Sequence, residues 1–104
     1  MILVLFGMEY RDDIDLDEYK ATSRRMNELV NQMPGFISIE GYVGADGSEI
    51  FLARFESEKA LETWRDHPEH LEAQQKGRDR YYKSFWVQVY KTIRDYGFQH
   101  DGSE

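Results

Sequence analysis

The pattern of apolar residues predicts an α+β fold of the ferredoxin-like kind: a four-stranded antiparallel sheet in the order β-α-β-β-α-β, with helices on one face. Three observations predict it. Apolar runs of strand length alternate with segments of helical period, a glycine-containing turn joins the two middle runs, and a proline divides the second helical segment.

The opening run MILVLFGM, Met1 to Met8, is nearly all apolar, as a central strand covered on both faces requires. From Asp15 the period changes. DLDE offers an N-cap with Glu18 three positions on, and Tyr19, Thr22, Met26, Leu29, Val30 and Met33 recur at helical spacing. Pro34-Gly35 is expected to end that helix. Phe36 to Val43 and Glu49 to Glu56 are strand-like runs around GADGS, whose Asp46-Gly47 suits a hairpin turn. Ser57 caps a short helix through Trp64, and Pro68 suits the first turn of another that runs to about Gly77. Tyr82 to Ile93 forms the last strand. One domain is expected over residues 1–98, with 99–104 a short tail.

A chain of 104 residues, 40% of them apolar, is sufficient for one folded core. Thirteen basic against 20 acidic side chains leave a formal charge of −7. Lys and Arg are nowhere clustered, so neither nucleic acid nor an anionic membrane is an expected partner. The absence of cysteine excludes disulfides, thiolate nucleophiles and Cys-based metal sites. MILVLFGM has no basic segment before it and acidic residues after it, unlike a secretory signal, and no run approaches the roughly 18 apolar residues of a membrane span. A cytoplasmic location is expected.

The strands are apolar on both faces. Phe51, Ala53 and Phe55 alternate with Ile50 and Leu52, and Trp86 and Tyr90 alternate with Phe85, Val87 and Val89. Helices cover one face only, so a second copy of the sheet is expected on the other, in a homodimer.

Candidate chemistry concentrates in TWRDHPEHLEAQQKGRDRYY, Thr63 to Tyr82. His67 and His70 suggest paired metal ligands, but a residue before proline is pushed out of helical geometry, so the two need not share a face. His67 reads as a helix-flanking residue, and His70 either as a pocket residue able to accept a proton or as part of an ordinary helix surface. Trp64 ends its helix just before the break. Phe36, Tyr81 and Tyr82 are candidate aromatic walls, and Arg78 a candidate charged anchor, for a planar, oxygen-rich ligand, the alternatives being a strand-start residue for Tyr82 and a solvated helix end for Arg78. Asp13, Asp15 and Asp17 have the spacing that opens a calcium loop, yet Glu18 and Arg24 stand where glycine and glutamate are needed. No metal is expected. Glycines 41, 44 and 47 form no nucleotide-binding pattern, and there is no nucleophile elbow.

MPGFISIEGYVGADG, IFLARFES, ALETWRDHPEHLEAQQKGRDRYY and RDYGF together resemble the antibiotic biosynthesis monooxygenase family of dimeric α+β barrels, over nearly the whole chain. The resemblance implies a small homodimer with a pocket between sheet and helices in each subunit. It implies an oxidoreductase, a monooxygenase acting on a small aromatic or quinol-like compound, with Trp64 and His70 as catalytic candidates and Phe36, Arg78, Tyr81 and Tyr82 binding the substrate. No cofactor is expected; haem or flavin would announce itself as a visible absorbance band. Haem-degrading relatives carry an asparagine late in the first strand and an iron-ligating histidine ten residues after the tryptophan. Here the strand ends Leu5-Phe6-Gly7 and Gln74 takes the histidine position, with His70 one turn earlier. The alternatives are a non-enzymatic dimer that binds a small ligand or serves a stress response, and an atypical haem-binding relative.

Overall fold

A computed structural model describes residues 1–101; of the tail expected over 99–104, residues 102–104 lie outside the described residues. The elements are β1 (Ile2–Tyr10), α1 (Leu16–Val30), β2 (Phe36–Val43), β3 (Glu49–Phe55), α2 (Glu58–Arg65), α3 (Pro68–Lys76) and β4 (Tyr82–Lys91), with a wide π-helical turn, Gly77–Tyr81, joining α3 to β4. The sheet order is β2-β3-β1-β4, antiparallel throughout. This is the expected ferredoxin-like arrangement, with β1 and β3 central and β2 and β4 at the edges.

Register divides the strands between two faces. Ile2 pairs with Phe55 and Val4 with Ala53, and all four belong to the core formed with Leu29 and Val30 of α1 and Ala60 and Trp64 of α2. By the two-residue period, Phe6, Met8, Phe51, Phe85, Val87 and Val89 share this helix side. Leu3, Leu5, Gly7, Ile50, Leu52, Trp86 and Tyr90 lie on the other side, which no helix covers. A Cβ on Gly7 would come within 2.4 Å of the Trp86 indole, so the bare glycine is what lets that ring cross β1.

Local chemistry accounts for the boundaries. Asp15 caps α1 by accepting the Glu18 N–H, and Ser57 caps α2 by accepting the Ala60 N–H. α1 ends at Val30, short of the expected Pro34-Gly35 stop. Met33 precedes a proline and disfavours the helical region, so the chain leaves the helix through a turn in which Gln32 and Met33 donate back to Leu29 and Val30. Gly35 follows at φ 82°, a conformation that favours glycine. In the hairpin, Gly47 takes φ 85° while the Asp46 carboxylate accepts both the N–H and the hydroxyl of Ser48. β4 stops at Lys91 rather than at the expected Ile93. Thr92 donates to the carbonyl of Met1, and Ile93 is 97% exposed.

One irregularity re-aims the start of β4. Glu9 pairs with Ser84 but Tyr10 pairs with Tyr82, so Lys83 is an extra, bulged residue. Strict alternation would put Tyr82 on the face of Ser84 and Trp86; the bulge turns it to the helix side, beside Phe85.

Candidate functional site

Trp64 is 8% exposed and belongs to the core. The break that follows it is built from His67 and Pro68. Proline needs no N–H partner at the start of α3, and His67 caps that helix through Nδ1, which accepts the Glu69 N–H at 3.1 Å. The chain thereby folds back until His70, in the first turn of α3, stacks on Trp64 with ring centroids 4.1 Å apart and planes 15° from parallel. His67 and His70 have separate tasks, and among the described residues no group of three or more His, Asp or Glu is placed to hold a metal ion.

The tautomer of His70 follows from its partner. Nδ1 is 3.0 Å from the Trp64 carbonyl oxygen, which can only accept, and 3.3 Å from the Gln74 amide nitrogen, which donates at the shorter distance of 3.0 Å to the Arg65 carbonyl; the carbonyl contact therefore assigns the hydrogen to Nδ1 and the lone pair to Nε2. Burial pushes the proton affinity of His70 below the ordinary histidine range, only partly offset by the carbonyl contact. The ring is therefore neutral at neutral pH with a basic Nε2, the form a general base requires.

A second group gathers at the other end of β1. Tyr82 packs edge-on against Phe6 at 5.6 Å and Phe85 at 6.0 Å, and lies among Tyr10, Tyr19 and Tyr81. Tyr10 donates to the Glu49 carboxylate at 2.6 Å. Burial first, and that bond second, raise Tyr10 far above the usual phenol range; burial and the neighbouring tyrosine raise Tyr82 as well. Both phenols thus stay protonated and can donate but not abstract. Arg78 sits over the Phe85 ring, 5.4 Å from its centroid, and none of the ion pairs among the described residues uses it.

From the tyrosine group an open strip runs along β4. Phe85, Val87 and Val89 face the helix side, yet are 38%, 51% and 53% exposed. α3 packs chiefly on α1, α2 and the π turn, leaving the edge strand uncovered. Trp64 and His70 are thus brought together, as are Arg78 and Tyr82, but no ring contact links the two pairs. Phe36 packs edge-on against Phe55 at 5.6 Å, against the core. Tyr81 is buried, with its hydroxyl bonded to Thr22 and Glu18, and ties the π turn to α1. Sequence reasoning missed Phe6, Tyr10 and Tyr19. The first two continue the period-two set Ile2, Val4 of β1, a signal that could have found them.

At the position where haem-degrading relatives carry their ligand, the Gln74 amide donates to the Arg65 carbonyl at 3.0 Å, and Phe6 stands on the helix side late in β1. These residues do not fit an iron centre of that kind. Two clefts lie elsewhere. One of about 220 Å³ is lined by Glu9, Asp46 and Trp86 near the hairpin. Another of about 280 Å³ runs between α1 and α3 beside the Arg25–Glu69 pair. Neither includes a residue singled out from the sequence as a site candidate.

The sequence profile of the family described as antibiotic biosynthesis monooxygenase matches residues 1–76. The uncharacterized protein YqjZ of Bacillus subtilis is 37% identical over 86 residues, 83% of this chain and 75% of YqjZ. Rv0793 from Mycobacterium tuberculosis has a similar structure, with a TM-score of 0.77 at 21% identity over 92% of this chain and 98% of its own. SnoaB, a cofactor-independent oxygenase from Streptomyces nogalater, superposes with a TM-score of 0.72 at 12% identity, over 90% of this chain and 94% of its own. At such identities these two structures bear on the fold alone.

Proposed function

The chain belongs to the antibiotic biosynthesis monooxygenase family, and from that membership we propose that it oxygenates a small aromatic or quinol-like compound held on the helix side of the sheet. The observation that carries the reading is His70: a neutral imidazole, stacked on Trp64, with its basic nitrogen unprotonated. The strip of Phe85, Val87 and Val89 offers the apolar surface, and Arg78 with the protonated Tyr82 the polar anchors at its far end.

The chemistry needs no cofactor, in keeping with the description of SnoaB. A CH₂ carbon flanked by aromatic rings gives one proton to His70 Nε2, and the carbanion supplies the electrons that reduce dioxygen. One oxygen atom stays on that carbon as a carbonyl and the other leaves as water with the two hydrogens: CH₂ + O₂ → C=O + H₂O. Anthrone, whose CH₂ lies between two rings, is a suitable probe, with anthraquinone as the product measured. Wild type should accelerate its formation, His70→Ala should lower the rate about a hundredfold, and Trp64→Phe should lower it less. No acceleration by wild type, or equal rates for His70→Ala, would rule out the reading.

The opposite face, with Leu3, Leu5, Ile50, Leu52, Trp86 and Tyr90, is assigned to a second copy of the chain, because an isologous contact covers both apolar faces at once.

A further inference from the structure

We propose that Arg11 is a positioning residue that sets the Arg78–Tyr82 end of the site without touching the ligand. The inference rests on the placement of the substrate along the helix side of β4.

A helix ends with carbonyls that lack partners, and the wide turn Gly77–Tyr81 leaves such carbonyls where α3 gives way to β4. Arg11, the first residue after β1, takes them up. Its backbone N–H donates to Tyr81 at 2.9 Å, its Nε to the Tyr82 carbonyl at 3.2 Å, and its Nη2 to the Arg78 carbonyl at 2.5 Å. A guanidinium also suits the negative end of a helix. The backbone N–H and two guanidinium donors thus hold three carbonyls of one short segment, and the two guanidinium donors in fixed relation are what the single ammonium of lysine cannot reproduce.

What is held there decides two side chains. Arg78 is aimed over Phe85, and Tyr82 is turned to the helix side by the bulge at Lys83, next to the carbonyl that Arg11 Nε grips. Gly77 completes the arrangement: a Cβ there would come within 2.6 Å of the Tyr82 ring, so the ring lies on the bare backbone of the turn. With the side chain of Arg11 committed to carbonyls and Arg78 outside every ion pair among the described residues, Arg78 is the guanidinium presented to an anionic group of the ligand.

The test compares 2-naphthoate with its neutral counterpart 2-naphthamide, titrated by fluorescence against the full chain. Wild type should bind the carboxylate about tenfold more tightly, the size of one charge-assisted contact. Arg78→Gln should abolish the preference. Arg11→Lys keeps the charge but not the clamp, and should reduce the preference to within about twofold of unity. Arg11→Gln, which keeps one side-chain donor without the fork, should likewise bring the ratio to within about twofold of unity and serves if Arg11→Lys fails to fold. A residue that only stabilised the fold would lower the melting temperature in Arg11→Lys and leave the ratio unchanged, and that result overturns the proposal. An unchanged ratio in Arg78→Gln overturns it too. Equal binding of both ligands by wild type removes the proposal but leaves the substrate placement standing, whereas no binding of either removes both.

Discussion

At the scale of single residues, the site depends on which groups hold a proton. Tyr10 and Tyr82 are phenols kept neutral by burial, so the proposed base is His70, whose contact with the Trp64 carbonyl assigns the ring hydrogen to Nδ1. The same burial links His70 to stability. Its proton affinity is lowered in the folded state, first by desolvation, with His67 adding to the effect. Below the ordinary histidine value of 6.5 the unfolded chain therefore binds a proton that the folded one resists. Stability rises with pH across this window and falls as pH drops through it. Urea denaturation of His70→Gln should show a flatter dependence than wild type as pH falls below 6.5. An unchanged slope would mean that His70 is not desolvated.

At the scale of elements, the parts with strong local signals were legible. The caps at Asp15 and Ser57, the turn at Asp46-Gly47 and the break at Pro68 act through neighbours within a few residues, and each is found where its chemistry places it. Two features were not legible because they depend on partners far along the chain. The π turn at Gly77–Tyr81 is closed by Arg11, and the bulge at Lys83 exists only in pairing with Glu9 and Tyr10. Together they explain the mixed outcome for the aromatic residues chosen from sequence. Tyr82 faces the helix side because of the bulge, while Tyr81, its neighbour, is turned inward to Thr22 and Glu18. Phe36 lies where the hairpin meets the core, and its ring packs on Phe55. Trp64 and His70 were legible as a pair because the break at Pro68 lies between them.

At the scale of the whole molecule, the sheet separates two environments. Its helix side carries the core and the open strip of β4; its other side carries Trp86 and Tyr90, 43% and 49% exposed, beside Leu3, Leu5 and Leu52. Burying that face against a second copy removes the apolar surface from water, and the stabilisation grows by roughly 25 cal/mol for each Å² covered. Sedimentation equilibrium at micromolar concentration should return twice the chain mass. Trp86→Glu, which puts a charge on this face, should return the monomer with its helical circular dichroism retained. Wild type sedimenting as a monomer would leave the face without its assigned cover.

The two tryptophans stand on opposite sides of the sheet, and that makes them reporters of where a ligand binds. The most direct measurement is a ¹⁵N-indole NMR titration with 2-naphthol, following the Nε1–H signals of Trp64 and Trp86. If the site lies on the helix side at His70, the Trp64 signal should move and saturate, His70→Ala should weaken that response, and the Trp86 signal should stay in place. Saturable movement of Trp86 with Trp64 unmoved would contradict it and put the site on the opposite face of the sheet.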